Sequence, residues 1–97
     1  DRNMLQSIHS TEDTLSLEPF ADKWKSFGFG TAEVDGHNVY DLRRVLSNLP
    51  VEDNKPSAII CHTIKGKGAS FAENNMEWHH KNRVSDEEIQ ALYEELK

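Results

Sequence analysis

The sequence predicts an α/β fold of the doubly wound kind, with parallel strands joined by crossover helices and only part of its sheet present. Three observations carry this. Helical and strand periodicities alternate along the chain, the pattern of strands linked by crossovers. The run Ser57–Ile64 is almost continuously apolar with no clean alternation, as in strands covered on both faces of a parallel sheet. Only two strand segments can be found, and two parallel strands cannot bury both of their faces. The missing strands are therefore expected from outside these residues, which makes 1–97 a single partial domain.

Residues 1–16 lack a helical period, and Ser7, Ser10, Thr11, Asp13 and Thr14 mark loop. Ser16 is positioned to cap a helix over Leu17–Ser26, with Pro19 in its first turn. Leu17, Phe20, Ala21, Trp24 and Phe27 fall at helical spacing, so Phe20, Trp24 and Phe27 are expected as core aromatics. Gly28 suits a left-handed helix end. Phe29–Val34 then reads as a strand closed by an Asp35-Gly36 turn, with His37 a turn residue beside it. Asn38 caps a second helix carrying Val39, Leu42, Val45, Leu46 and Leu49, and Pro50 stops it. In the buried strand, His62 is expected as a satisfied core histidine and Cys61 as a small buried hydrophobe. Ser85-Asp86-Glu87-Glu88 is a capping box that opens a last helix. The acidic face of that helix, Glu87, Glu88, Glu94 and Glu95, is expected to be solvated.

Between the last strand and the last helix, Lys65–Val84 is too long for a plain connection and, with Phe71, Met76 and Trp78, too apolar for simple disorder. It leaves the carboxyl end of the buried strand, the edge where open α/β sheets bind ligands, so residues 65–84 are expected as an active-site loop. Its Lys65-Gly66-Lys67-Gly68 lacks the spacing of a P-loop and opens no helix. Its glycines would let backbone approach a ligand, and its lysines would lie near anionic groups.

Composition narrows the partners. A net charge of −6 disfavours nucleic acid and anionic membranes, and no apolar run is long enough for a bilayer span. The single cysteine, Cys61, excludes an internal disulfide framework and fits a reducing cytoplasm. His79 and His80 form no zinc site, because no third ligand stands at ligand spacing. The N-terminus, without an initiator methionine, reads as that of an excised or truncated segment.

Several stretches resemble the thiamine diphosphate-binding half of transketolases, and the resemblance runs in order over essentially the whole chain. Asp1-Arg2-Asn3-Met4-Leu5-Gln6 resembles the end of the thiamine diphosphate motif, whose first half is a Gly-Asp-Gly turn. Ser16–Trp24 resembles the family's SLEPLAEKW helix, Val34–His37 its VDGH, and Lys65–Gly68 with Glu77-Trp78-His79 its KGKG…EWHG loop. The resemblance implies a Rossmann-like thiamine diphosphate-binding fold and a transferase of the pentose phosphate type. Such an enzyme moves a two-carbon ketol unit between sugar phosphates. It also implies thiamine diphosphate with Mg²⁺ or another divalent metal as cofactors. Asn3 and the Leu5 carbonyl map to the metal ligands, oxygen donors suited to a hard cation. Asn3, Leu5, Gly66, Lys67 and His79 map to cofactor contacts, and His79 is the catalytic candidate as donor or proton shuttle. Implied partners are the remainder of the chain or a partner subunit, in a homodimer or heterotetramer. Without the Gly-Asp-Gly half, these residues alone are expected to be inactive. Two departures stand out: Arg2 where the family has asparagine or aspartate, and His80 where it has glycine. The rival readings are a fragment of a 2-oxo acid dehydrogenase-type enzyme and a non-catalytic interaction module.

Overall fold

Strands β1 (Gly30–Asp35) and β2 (Ser57–His62) pair in parallel in a computed structural model that describes residues 1–97. The register runs from Gly30 opposite Ser57 to Asp35 opposite His62, so both strands end at the same level. A third segment joins this edge: Arg2 bridges to His62 in parallel, its N–H donating to the Cys61 carbonyl at 2.8 Å. β2 therefore lies between β1 and the first residues of the chain.

Four helices accompany the strands: α1 (Thr11–Thr14), α2 (Phe20–Ser26), α3 (Val39–Leu46) and α4 (Asp86–Glu95), of which α2 and α3 pack on β1. α2 packs on β1 through Trp24, whose ring meets Phe29 edge-on at 4.9 Å and Phe20 at 6.0 Å. The Asn38 side chain accepts from the N–H groups of Tyr40 and Asp41, capping α3 as expected. Ser85 and Glu88 complete the capping box of α4.

Val34, Ala58, Ile60 and Ala72 are the only buried apolar side chains. The extents are 52 × 32 × 16 Å and the radius of gyration is 16.7 Å, against about 12–13 Å for a compact chain of this length. The molecule is a slab, one sheet with helices that leave much apolar surface uncovered, Tyr40, Leu46 and Leu96 included.

Several expectations are corrected. The first sixteen residues contain one helical turn, α1, capped by Ser10, whose hydroxyl accepts from the Asp13 N–H at 3.1 Å. Ser16 does not cap α2: the helix starts at Phe20 after an N-cap at Pro19, out of reach of the Ser16 oxygen, and the Ser16 hydroxyl donates instead to Glu12 at 2.5 Å. The helix begins at Phe20, whose N–H is taken by the Glu18 carboxylate at 2.8 Å, so Leu17 lies outside it. Phe27 is 83% exposed: in a two-turn helix it falls at the C-cap, beyond the reach of the sheet. α3 ends at Leu46, before Leu49. β2 ends at His62, and His62 is no core residue. Its ring is exposed and pairs with Glu33 of β1 at 2.7 Å. Cys61 is half-buried, without the full burial expected of it. The last helix is not a purely solvated face. Glu88 pairs with Lys81, and Glu95 accepts from the Ser70 N–H at 2.6 Å.

Candidate functional site

Residues 1–3 lie beside the carboxyl end of β2, and the loop that carries Gly66, Lys67 and His79 leaves from the same end. On one side of β2, the Thr63 N–H donates to the Arg2 carbonyl at 3.3 Å, and the Thr63 hydroxyl donates to the Asp1 carboxylate. Asn3 follows. Its Nδ2 donates to Asp1 at 3.3 Å, and its Oδ1 accepts from the Leu5 N–H at 2.9 Å, which fixes the orientation of the amide. Met4, between them, has φ +66°, the left-handed value of a tight turn. The Leu5 carbonyl accepts no hydrogen bond, and Asn3 Oδ1 keeps one lone pair free. Two oxygens of the type a hard cation selects are thus available in one turn. No three His, Cys, Asp or Glu side chains converge anywhere in the chain, so a cation held here would take its remaining ligands from a bound anion or another segment.

On the other side of β2, the Asp35-Gly36-His37 turn grips the same edge. The Gly36 N–H donates to the His62 carbonyl at 2.8 Å. A Cβ on Gly36 would stand 2.4 Å from Thr63 Cγ2, so glycine is required by this approach. His37 Nε2 accepts from the Ile64 N–H at 2.7 Å, which places the neutral ring's proton on Nδ1. Asp35, His37, His62, Thr63, Ile64 and Lys67 line a polar cleft of about 330 Å³ at this edge. A second cleft, of about 290 Å³ and largely apolar, lies between α2 and the sheet face, away from Lys67 and His79.

The loop from Lys65 folds back on its own start. The Asn74 N–H donates to the Lys65 carbonyl at 2.9 Å, and Gly66, at φ +78°, lies so close to Ala72 that a Cβ would meet its carbonyl oxygen at 2.5 Å. The glycine thus serves contact with the loop's own backbone. Lys67 pairs with Glu73 at 3.2 Å, and the Gly68 N–H also donates to Glu73; that N–H and the lysine hold the carboxyl below its ordinary value. A 3₁₀ turn, Met76–Trp78, presents His79, with Trp78 packed edge-on against Phe71 at 5.1 Å and Lys81 over its other face at 4.5 Å.

His79 is half-buried, and its Nδ1 is shielded from solvent without a hydrogen-bond partner. Burial lowers its pKa, helped by the charges of His80 and Lys65, so the ring is neutral at pH 7. A shielded nitrogen left unpaired is a cost that a ligand atom meeting it would relieve. The His80 ring lies edge-on to His79 at 4.6 Å.

Arg2, the first departure from the family pattern, turns away from Asn3. It is 4% exposed, with its guanidinium directed at Glu12, Glu18 and Thr11. Sequence reasoning missed both this clamp and the role of His37. The strand register held a signal for the second: Asp35 opposite His62 continues to His37 opposite Ile64.

Comparison with known proteins gives a consistent assignment. The family described as "Transketolase, thiamine diphosphate binding domain" matches residues 1–97. An apulose-4-phosphate transketolase subunit of Actinobacillus succinogenes is 40% identical over 99 residues, covering 100% of this chain and 34% of the relative. The subunit of the same name from Phocaeicola vulgatus is 36% identical over 94 residues, covering 97% and 34%. The 6-deoxy-6-sulfo-D-fructose transketolase subunit SqwG of Clostridium sp. is 36% identical over 96 residues, covering 99% and 34%. The chain therefore spans about a third of the length of these relatives. With the family matched from end to end and the α/β architecture in agreement, the chain belongs to the thiamine diphosphate binding domain family of transketolases.

Proposed function

We propose that this chain supplies the later part of the thiamine diphosphate site of a transketolase, acting together with the remainder of the chain or a partner subunit in a homodimer or heterotetramer. The observation that carries this is the convergence at one sheet edge: residues 1–3 and the Asp35-Gly36-His37 turn both hold Thr63 and Ile64, from which the Gly66–His79 loop departs. Strands beyond these residues would flank β1 and the N-terminal segment and cover the exposed apolar surface.

Asn3 Oδ1 and the Leu5 carbonyl would hold Mg²⁺ or another divalent ion, and the free lone pairs of this turn support that role. Bound thiamine diphosphate would supply the carbanion chemistry that cleaves and forms the carbon–carbon bond. Lys67, half-exposed, would exchange Glu73 for the cofactor's anionic end, with Gly66 keeping the turn tight. His79, neutral and with Nδ1 unpaired, would meet a diphosphate or substrate oxygen as the catalytic donor or proton shuttle. Two of the relatives are named for apulose 4-phosphate and one for a 6-sulfo ketose. A ketose bearing an anionic terminus is the substrate class proposed here. The cytoplasm is the proposed compartment, and no helix is long and apolar enough to cross a membrane.

The test is a pair of variants in the intact protein. Asn3→Ala is expected to abolish Mg²⁺-dependent thiamine diphosphate binding in a calorimetric titration. His79→Ala is expected to keep most cofactor binding but lose ketol transfer by about 100-fold or more, the range of a positioned acid–base group. Unchanged cofactor affinity in folded Asn3→Ala overturns the assignment. Turnover of a 2-oxo acid in place of a ketose phosphate or sulfonate would move the protein to the rival enzyme class.

A further inference from the structure

Arg2 is the most buried charge in the chain, and it sits one residue before the proposed metal-binding turn. Its backbone and side chain do separate things. The backbone pairs with the end of β2, its N–H donating to the Cys61 carbonyl and its carbonyl accepting from Thr63. The guanidinium runs the other way, into the segment from α1 to α2. Nε and one terminal nitrogen donate to Glu18 Oε1 at 3.2 and 2.9 Å, and the same terminal nitrogen donates to Glu12 at 2.6 Å. The other terminal nitrogen donates to the Thr11 hydroxyl at 2.8 Å, and the group lies 5.4 Å from the Phe20 ring centre.

Thr11 closes the arrangement. Its hydroxyl, which receives Arg2, has the Met4 carbonyl and the Glu12 carboxylate as alternative acceptors, each at 3.3 Å, and its N–H donates to the Met4 carbonyl at 2.8 Å. The Asn3-Met4-Leu5 turn is therefore tied down on both sides by one residue of α1: through the Arg2 side chain before it and through the Met4 carbonyl within it. An asparagine or aspartate at position 2 is too short to span from β2 to Glu12 and Glu18. A lysine would carry the charge but not the planar fork that reaches three acceptors.

We propose that Arg2 is a positioning residue for the metal: through Thr11, Glu12 and Glu18 it fixes the turn that presents Asn3 Oδ1 and the Leu5 carbonyl. This rests on the reading of Asn3 and Leu5 as metal ligands. Groups that orient ligands without touching the ion are worth about 10–100-fold in metal affinity. The experiment measures Mg²⁺ affinity at saturating thiamine diphosphate by calorimetry in the intact protein, at a temperature where circular dichroism shows each variant folded. Arg2→Met is expected to weaken Mg²⁺ binding at least tenfold, with Arg2→Lys in between. Thr11→Val, which removes only the shared hydroxyl, is expected to weaken it about threefold. Thr11→Val decides the matter if Arg2→Met does not fold. A purely structural Arg2 would lower the melting temperature and leave the affinity of the folded protein unchanged. If Asn3→Ala abolishes Mg²⁺ binding while folded Arg2→Met and Thr11→Val bind as the parent does, Arg2 has no positioning role and the site reading survives. If Asn3→Ala itself binds normally, the site reading fails and this proposal fails with it.

Discussion

Replacing Gly66 by alanine is the sharpest test of how the Lys65–Val84 loop is built. Two separate penalties act at this position. The backbone has φ +78°, and an L-residue with a Cβ costs roughly 1–2 kcal/mol in the left-handed region. In addition, the new Cβ would lie 2.5 Å from the Ala72 carbonyl oxygen and 2.8 Å from its carbon, backbone atoms of a buried residue that cannot swing aside as a side-chain tip can. Gly68 separates the two effects, since it has φ +102° but open space around its Cβ position. Gly68→Ala should therefore show the conformational penalty alone, and Gly66→Ala that penalty plus the clash. The reporter is the Asn74 N–H, which donates to the Lys65 carbonyl and closes the turn. Its hydrogen-exchange protection measures local opening free energy. About 1 kcal/mol, roughly five-fold in protection, is expected for Gly68→Ala, and about 2 kcal/mol or more, thirty-fold, for Gly66→Ala. Equal loss in the two variants would refute the claim that contact with Ala72 shapes this loop.

Two further outcomes are expected. His37→Ala removes the acceptor for the Ile64 N–H and should lower protection of that amide by about 1 kcal/mol, roughly five-fold, while His37→Gln, which keeps an acceptor at similar reach, should recover most of it. The Arg2 clamp should give an acid-sensitive stability. Glu12 is held down from 4.5 to about 2, chiefly by the Ser16 hydroxyl, then by the Leu17 N–H and Arg2, and Glu18 is lowered by the Phe20 N–H and Arg2. A carboxyl lowered in the folded state stabilises fully above its unfolded value and loses that contribution as pH falls. The stability difference between the parent and Glu12→Gln should thus be constant above about pH 4.5 and shrink toward pH 2 in urea titrations. A difference that did not change across that window would remove Glu12 from the clamp.

Local chemistry was legible in the sequence wherever a residue's partner lies within a few positions. Asn38 and Ser85 with Glu88 cap their helices as read, because the N–H groups they satisfy are two or three residues away. The apolar run over β2 announced a strand; one of its faces, Ala58 and Ile60, is buried, while Ile59 and Cys61 on the other are only half-buried. Ser16 looked equally good as a cap and failed, since the helix does not start until Phe20, three residues later than the spacing suggested. Phe27 kept the helical spacing, but its helix stops before it can reach the sheet. At the proposed site, Asn3, Leu5 and His79 came from resemblance, whereas the contacts that hold the neighbouring segments did not. Arg2 finds its acceptors nine to sixteen residues on, and His37 meets Ile64 across the strand pair, distances over which periodicity carries no information.

That these segments gather at one place follows from the topology. Parallel strands in register end at one level, so whatever follows β1 and β2, and whatever enters beside β2 in the same direction, meets at that edge. What the residues decide is how firmly each segment is held there. The ties are almost all polar: Arg2 to Glu12 and Glu18, His37 to Ile64, Lys67 and Gly68 to Glu73, Ser70 to Glu95. Ala72 is the loop's single buried apolar side chain, and its larger apolar pair, Phe71 and Trp78, packs on itself. A loop fixed by apolar burial would resist rearrangement, because opening it exposes surface. A loop fixed by half-exposed ion pairs and single hydrogen bonds can trade those partners for the oxygens of an anionic ligand at little net cost. Lys67, paired with a carboxylate, and His79, with no partner at Nδ1, are the two residues proposed to make that exchange.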